Sequence, residues 1–251
     1  MSDQKGNPFA GIGFEDFRRL ATSDGLSRYE RIGFPDSYRH GFEARIFEDI
    51  VRKLAPLSRR DTTIVDIGPG CSELPAMIIE QATRLGQSLV LVDSQEMLDL
   101  LDAPAQVRKV PAFFPRCPEL IDELRGKADA VLAYSVLHYP FVDTSLWRFV
   151  DSALALLAPG GWCLLGDIPN ISMRKRFFSS EAGRRMHREF TGRDEDPDVI
   201  FNNIEFENMD DSVVIGLLMR ARAAGFHAYV VPESAELPMA NRREDILVHR
   251  P

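Results

Sequence analysis

Cysteine is scarce in this chain. Cys71, Cys117 and Cys163 are the only three among 251 residues, too few and too scattered for a disulfide framework. No CxxC or Cys/His spacing suggests zinc. No apolar run approaches the roughly 18 residues that a membrane span needs. The first residues, MSDQKGNPF, are polar and lack the apolar stretch of a secretory signal. A cytoplasmic protein with reduced thiols is therefore expected. Positive charge is in deficit, since 30 Lys and Arg against 38 Asp and Glu leave a formal charge of −8. That is a poor surface for a nucleic-acid backbone. There is no GxxxxGK[ST] phosphate loop, no internal repeat and no low-complexity segment. What the chain does have is 45% hydrophobic residues, 16 Phe among them, the composition of a folded domain with one sizeable core.

From residue 42 onward, apolar runs and amphipathic stretches alternate. Phe42, Ile46, Phe47, Ile50, Val51 and Leu54 recur at helical spacing before Pro56. Thr62 to Ile67 is a β-branched run that stops at Gly-Pro-Gly and reads as a buried strand. Glu73 to Leu85 reads as a helix closed by Gly86, and Ser88 to Val92 as a second buried strand ending at Asp93. Ser94 can cap the short helix after it. Gln106 to Val110, Asp129 to Tyr134 and Trp162 to Ile168 read as further strands. A helix over Ser145 to Leu157 stops at Ala-Pro-Gly-Gly. A helix over Asp210 to Ala224, stopped by Gly225, precedes two last strands, His227 to Val231 and Glu244 to His249. Such alternation predicts an α/β, doubly wound, Rossmann-like sheet of seven mostly parallel strands. Helices cover both faces and an antiparallel hairpin closes it. Residues 1–41 are expected to form an N-terminal helical lid. Residues 42–251 form the main domain, with a polar substrate-cap insertion at about 171–209.

The segment Val65-Asp66-Ile67-Gly68-Pro69-Gly70-Cys71-Ser72-Glu73 runs from strand through glycine turn into helix. Gly68 and Gly70 permit a tight turn and close approach of a ligand, at the edge where ligands of open α/β sheets collect. A dinucleotide fingerprint would be GxGxxG, but its third glycine position holds Glu73, whose charge would face a pyrophosphate. Asp93 lies 27 residues beyond Asp66 at the end of the second strand. A carboxylate there can accept both hydroxyls of a ribose.

The loop resembles the first motif, D/E-x-G-x-G-x-G, of the class I S-adenosylmethionine-dependent methyltransferases. Asp66, Gly68 and Gly70 match it, and Ser72 stands at the third glycine. Asp93, the Leu157-Ala158-Pro159-Gly160-Gly161 turn and the Ser135-Val136-Leu137-His138 segment are similar to later features of that family in the same order. The resemblance covers the chain from Phe42 to the C-terminus, with 171–209 unmatched. It implies S-adenosyl-L-methionine as cofactor, held by Asp66, Gly68, Pro69, Gly70, Ser72, Asp93, Ser94, Met97, Ala112, Phe113, Tyr134 and Ser135. Members of the family often carry an Asp or Asn after the third strand, where this chain reads Val110-Pro111-Ala112-Phe113-Phe114-Pro115. Adenine is expected to pack on Phe113 instead.

The expected activity is methyl transfer to a small-molecule acceptor, at oxygen of a sugar-like or anionic metabolite. His138, after the fourth strand, is the candidate general base, or else a cofactor contact. Tyr29, Tyr38, Tyr139, Asp167, Arg174 and Arg176 are candidate acceptor contacts. Residues 171–193 are rich in Arg, which fits either an anion-binding cap or a solvated helix face. Asn241-Arg242-Arg243 can reach the active-site rim or form a plain turn. No metal is expected. Asp167 and Asn170 resemble ligands of metal-dependent family members, but the further Asp these need at the fourth strand is Tyr134 or Ser135 here. An NAD(P)-dependent oxidoreductase and a non-catalytic cofactor-binding partner protein stay open as alternatives. So does the oligomeric state, a homodimer included. Neither a nucleic acid nor a membrane is expected as a partner.

Overall fold

The computed structural model describes residues 12–203 and 205–251. The polar start and the first eleven residues of the expected lid lie outside the described residues. Three short helices come first, α1 (Phe14–Thr22), α2 (Arg28–Arg31) and α3 (Asp36–Arg39), followed by α4 (Glu43–Lys53). The central run is β1 (Thr63–Ile67), α5 (Glu73–Leu85), β2 (Ser88–Asp93), α6 (Gln95–Asp99), β3 (Arg108–Pro111), α7 (Pro118–Leu124) and β4 (Ala128–Tyr134). Then come α8 (His138–Asp143), α9 (Leu146–Ala155), β5 (Leu157–Pro169), α10 (Ile171–Ser179), α11 (Glu181–Thr191) and α12 (Asp211–Ala223). The chain closes with β6 (His227–Pro232) and β7 (Arg243–His249).

The seven strands form one sheet in the order β3-β2-β1-β4-β5-β7-β6. Only β7 runs against its neighbours, pairing antiparallel with β5 and with β6. This is the doubly wound sheet with a closing hairpin that the alternation predicted. Side chains alternate across it because successive Cβ atoms of a strand point to opposite faces. Val65, Ile67, Val90, Val92, Val131 and Leu165 face the layer of α7, α9 and α12. Ile64, Leu89, Leu91, Leu132 and Leu164 face α4, α5 and α6. Two buried faces explain why the strands read as continuous apolar runs. The chain steps outward from β1 to β3, then returns to the other side of β1 with β4. The crevice at that reversal is where open sheets of this kind hold ligands.

Local chemistry sets the element ends. Ser72 caps α5 by accepting from the Leu74 amide, and Gly86 closes the helix in the left-handed region at φ 67°. Asp210 caps α12 through the amides of Ser212 and Val213. The largest departure from the sequence reading is β5. It begins at Leu157, since Leu157 pairs with Ala128 and the Gly160 amide donates to the Arg250 carbonyl. Tertiary pairing thus recruits into the strand what looked like a turn. The 171–209 stretch, which reads as weakly periodic, contains α10 and α11. Asn170 starts α10 by accepting from the amides of Ser172 and Met173. Among the described residues, no helix is long and apolar enough to cross a membrane.

Leu164 lies at the centre of β5 between Leu132 and Leu247, with no exposed surface. Truncation there leaves a cavity under both neighbouring strands. Leu164→Ala is expected to lower unfolding free energy by about 2–5 kcal/mol in chemical denaturation, with an unchanged far-UV spectrum.

Candidate functional site

At the carboxyl ends of β1, β2 and β4 lies a cavity of about 130 Å³. Its floor is the loop Gly68-Pro69-Gly70, with Ser72 at the start of α5. Both glycines are in the left-handed region, at φ 72° and 66°. A methyl group on Gly68 would come within 2.7 Å of Val136 Cγ2, and one on Gly70 within 2.7 Å of Ile32 Cγ2. The backbone bend and the packing of two other segments therefore both require glycine here.

Asp93 holds this loop to β2. One carboxylate oxygen accepts from the Gly70 amide at 3.0 Å and the other from the Ser94 amide at 2.7 Å. Each oxygen keeps a further lone pair for a ligand hydroxyl. Burial pushes the Asp93 carboxyl up to about 6 despite these amides. Asp66, within β1, is pushed up to about 8 by burial and then by the Asp93 charge, so it is protonated at neutral pH. It does not line the cavity. Ser94 does not either; its hydroxyl accepts from the Met97 amide at 3.2 Å and caps α6. Met97, Ala112, Phe113, Tyr134 and Ser135, the remaining residues of the expected cofactor set, all face the cavity.

The opposite wall comes from the N-terminal helices, which supply Phe14, Phe17, Ile32, Phe34 and Arg39. Phe14 packs on Phe113 with ring centres 4.4 Å apart, and Phe17 meets Tyr139 edge-on at 4.7 Å. Phe113, expected to pack on adenine, is thus also packed against Phe14. The sequence reading did not find Phe14, Phe17 or Ile32. Their signal was only the general aromatic richness of the first forty residues.

Arg39 reaches deepest. Its side chain is 5% exposed. Its Nη2 donates to Asp167 Oδ2 at 3.1 Å and to the Ser135 hydroxyl, which in turn bonds Asp167. Arg243 of β7 approaches the same carboxylate at 2.8 Å, and the Asp167 amide donates to Asp245 Oδ1 at 2.8 Å. Ser135 and Asp167 both sit in the left-handed region, at φ 61° and 56°. That is uncommon for residues with a Cβ, and it persists where surrounding contacts over-determine it. Burial alone would raise the Asp167 carboxyl, but Arg243, Arg39 and the Ser135 hydroxyl hold it below its ordinary value. The contacts of Asp167 thus converge on Oδ2, and the residue borders neither cavity, unlike the acceptor contact expected from sequence.

A second cavity, of about 380 Å³, adjoins the first and shares Phe34 and Tyr139 with it. Tyr38, His138, Asn170, Arg174, Arg242 and Arg243 are in its wall, as are Asp143, Glu207 and Met239. Of the Asn241-Arg242-Arg243 stretch, the two arginines border this cavity. Of the expected acceptor contacts, Tyr38, Tyr139 and Arg174 face this space. Tyr29 does not, being buried with its hydroxyl on Glu73. Nor does Arg176, which pairs with Asp211 at 2.5 Å on the surface. Much of the basic excess in 171–193 is met by acids from the following stretch. Lys175 pairs with Glu205 at 2.7 Å, Arg188 with Asp196 at 3.0 Å, and Arg184 with Asp196 at 3.8 Å.

His138 starts α8 and borders the second cavity rather than the first. Burial first, then the Arg243 charge, push its imidazole down to about 3. Its Nδ1 is buried without a partner among the described residues. It stays neutral at working pH but is a much weaker proton acceptor than the sequence reading assumed.

No family model matches the chain, and no curated protein matches it. Solved structures do. The plantazolicin methyltransferase BpumL, in complex with a triazolic desmethylPZN analogue and SAH, is 12% identical over 94% of this chain and 96% of its own, with a TM-score of 0.54. The CurJ carbon methyltransferase is 16% identical over 86% of this chain, with a TM-score of 0.52, and this chain spans 57% of it. The S-adenosylmethionine-dependent methyltransferase SibL is 15% identical over 94% of this chain and 62% of its own, with a TM-score of 0.52. At such identities the likeness is one of fold. The chain has the class I S-adenosylmethionine-dependent methyltransferase fold.

The buried carboxyls carry a pH signature. Burial raises Asp66 to about 8, Asp93 to about 6 and Asp245 to about 6, and raises Glu233 as well. The folded chain keeps protons on these groups that the unfolded chain releases above pH ~4. Their stabilisation is full below that pH and is lost as pH rises through the folded values. His138 works the other way, since only the unfolded chain takes up its proton below pH ~6.5, but it is one group against four. The ligand-free protein is expected to melt higher at pH 6 than at pH 8 by scanning calorimetry, with the difference reduced in Asp66→Asn.

Proposed function

We propose that the chain transfers a methyl group from S-adenosyl-L-methionine to a small-molecule acceptor, at an oxygen of a sugar-like or anionic metabolite. The observation that carries this reading is the pair of adjoining cavities. One is built on a glycine loop and a strand-end carboxylate, and the other meets it at Phe34 and Tyr139. S-adenosyl-L-methionine would supply an activated methyl on a sulfonium, so that the protein needs mainly to align two ligands. The loop and the carboxylate suit such a donor, since Gly68 and Gly70 present backbone without Cβ and the Asp93 oxygens have lone pairs left for ribose hydroxyls. Ala112, Met97 and Phe113 offer an apolar slot for adenine. At about 130 Å³ the first cavity is smaller than the usual range for ligand sites. Residues 12–41 then act as a lid that draws back to admit the donor. Helices α10 and α11 and the chain after them cap the acceptor.

Tyr38, Tyr139, Arg174 and Arg243 would orient the acceptor, and Tyr139 and Phe34 would form the passage between the ligands. His138, neutral and weakly basic, lines the acceptor space as a polar wall residue. Without a well-matched base beside it, the acceptor's own acidity governs how readily its oxygen attacks the methyl carbon. Of the two kinds of acceptor, this favours an anionic metabolite whose oxygen ionises easily over a sugar hydroxyl.

Calorimetric titration with S-adenosylmethionine, S-adenosylhomocysteine and NADH tests the reading. The first two are expected to bind and NADH is not. Asp93→Ala should weaken both by about ten-fold or more, the range for a hydrogen-bonded charged partner. Binding of NADH alone would make the protein an oxidoreductase.

A further inference from the structure

We propose that Arg39 reads the carboxylate at the amino-acid end of the methyl donor, and that this contact ties donor binding to seating of the N-terminal segment. The inference rests on the first cavity being the donor site.

Among the residues lining that cavity, Arg39 alone carries positive charge and Asp93 alone carries negative charge. They stand at different strand ends, Asp93 on β2 and Arg39 against Ser135 just beyond β4, with β1 between. Two strand spacings put those ends about 10 Å apart. That matches the reach of a ribose joined through sulfur to a short amino-acid chain, so a donor with its ribose on Asp93 presents its carboxylate towards Arg39.

The guanidinium is prepared for such a contact. It lies 4.5 Å from the centre of the Phe34 ring and 5.6 Å from that of Tyr134. Its bonds to Ser135 and Asp167 both use Nη2, and Nε and Nη1 have no protein partner among the described residues. These donors lie on different edges of the planar group, since each of its parallel forks includes Nη2, so one of them is free to give a carboxylate a single charge-assisted bond. Asp167 does not consume Arg39, because Arg243 holds the same carboxylate at 2.8 Å.

The coupling follows from where Arg39 sits in the chain. It ends α3, within the segment that also supplies Phe14, Phe17, Ile32 and Phe34 to the cavity. A carboxylate bonded to Arg39 therefore bonds the segment to the ligand. A ligand without that carboxylate occupies the same floor and adds no bond to the segment.

The test compares S-adenosylmethionine with its decarboxylated form, S-adenosyl-3-(methylthio)propylamine, which lacks only that carboxylate. Affinity is measured for wild type, Arg39→Gln and Arg39→Lys. Wild type is expected to prefer the complete donor by about ten-fold or more. Arg39→Gln should lose that preference while keeping its affinity for the decarboxylated compound, and Arg39→Lys should retain part of it. S-adenosylmethionine should also slow tryptic cleavage within residues 12–42 of wild type but not of Arg39→Gln. Equal affinity of wild type for both compounds overturns the assignment of Arg39 and leaves the donor site standing. Equal weakening of both by Arg39→Gln does the same, since it marks a merely structural role. If Arg39→Gln does not fold, the wild-type preference and Arg39→Lys decide. Failure of wild type to bind either compound overturns the donor reading itself and this inference with it.

Discussion

One buried carboxylate joins the parts of this molecule that must act together. Asp167, near the end of β5, is bonded by Arg39 from the N-terminal helices, by Ser135 from the end of β4 and by Arg243 from β7. Removing one partner of a buried ion pair costs about 3–5 kcal/mol, because the remaining charge is stranded away from water. Asp167 is guarded against that exposure twice over, since Arg39 and Arg243 both hold it. The left-handed backbone at Ser135 and Asp167 is the local strain that this convergence holds in place. The cluster stands between the two cavities, so the same contacts that order the segment over the first also shape the wall of the second.

Below the cluster the site rests on ordinary sheet physics. The strand reversal at β1 and β4 opens a crevice, and the glycine loop bends across it. Asp93 fastens that loop by two amide bonds. These parts were legible in the sequence because each is local. A β-branched run, a Gly-Pro-Gly turn, a helix from Glu73 to Leu85 ending at Gly86 and an acid ending the next strand all fall between Thr62 and Asp93. The alternation of the two layers along each strand is read from the same short window.

The rest was not legible, and the reason is separation along the chain. Arg39 and Asp167 are 128 residues apart, and no periodicity connects them. Arg39 and Arg243 could be noticed as charged residues near aromatic or turn signals, but their convergence on one carboxylate is a property of the packed sheet. The stacking of Phe14 on Phe113 is hidden for the same reason. The basic stretch 171–193 was legible in composition, but the partners of its cations were not, because acids from the next twelve or so residues meet several of them only in the folded chain. His138 was found from its place after the fourth strand, yet its weak basicity follows from burial and from Arg243. A motif cannot report either.

The account stands or falls on what occupies the first cavity and in which direction it lies. A crystal structure of the protein soaked with S-adenosylhomocysteine measures this directly. The expected density places the ribose hydroxyls within hydrogen-bond distance of the Asp93 carboxylate and the sulfur towards Tyr139, facing the second cavity. Density elsewhere on the molecule, or a ligand lying with its sulfur turned away from the shared wall at Phe34 and Tyr139, would contradict the central claim.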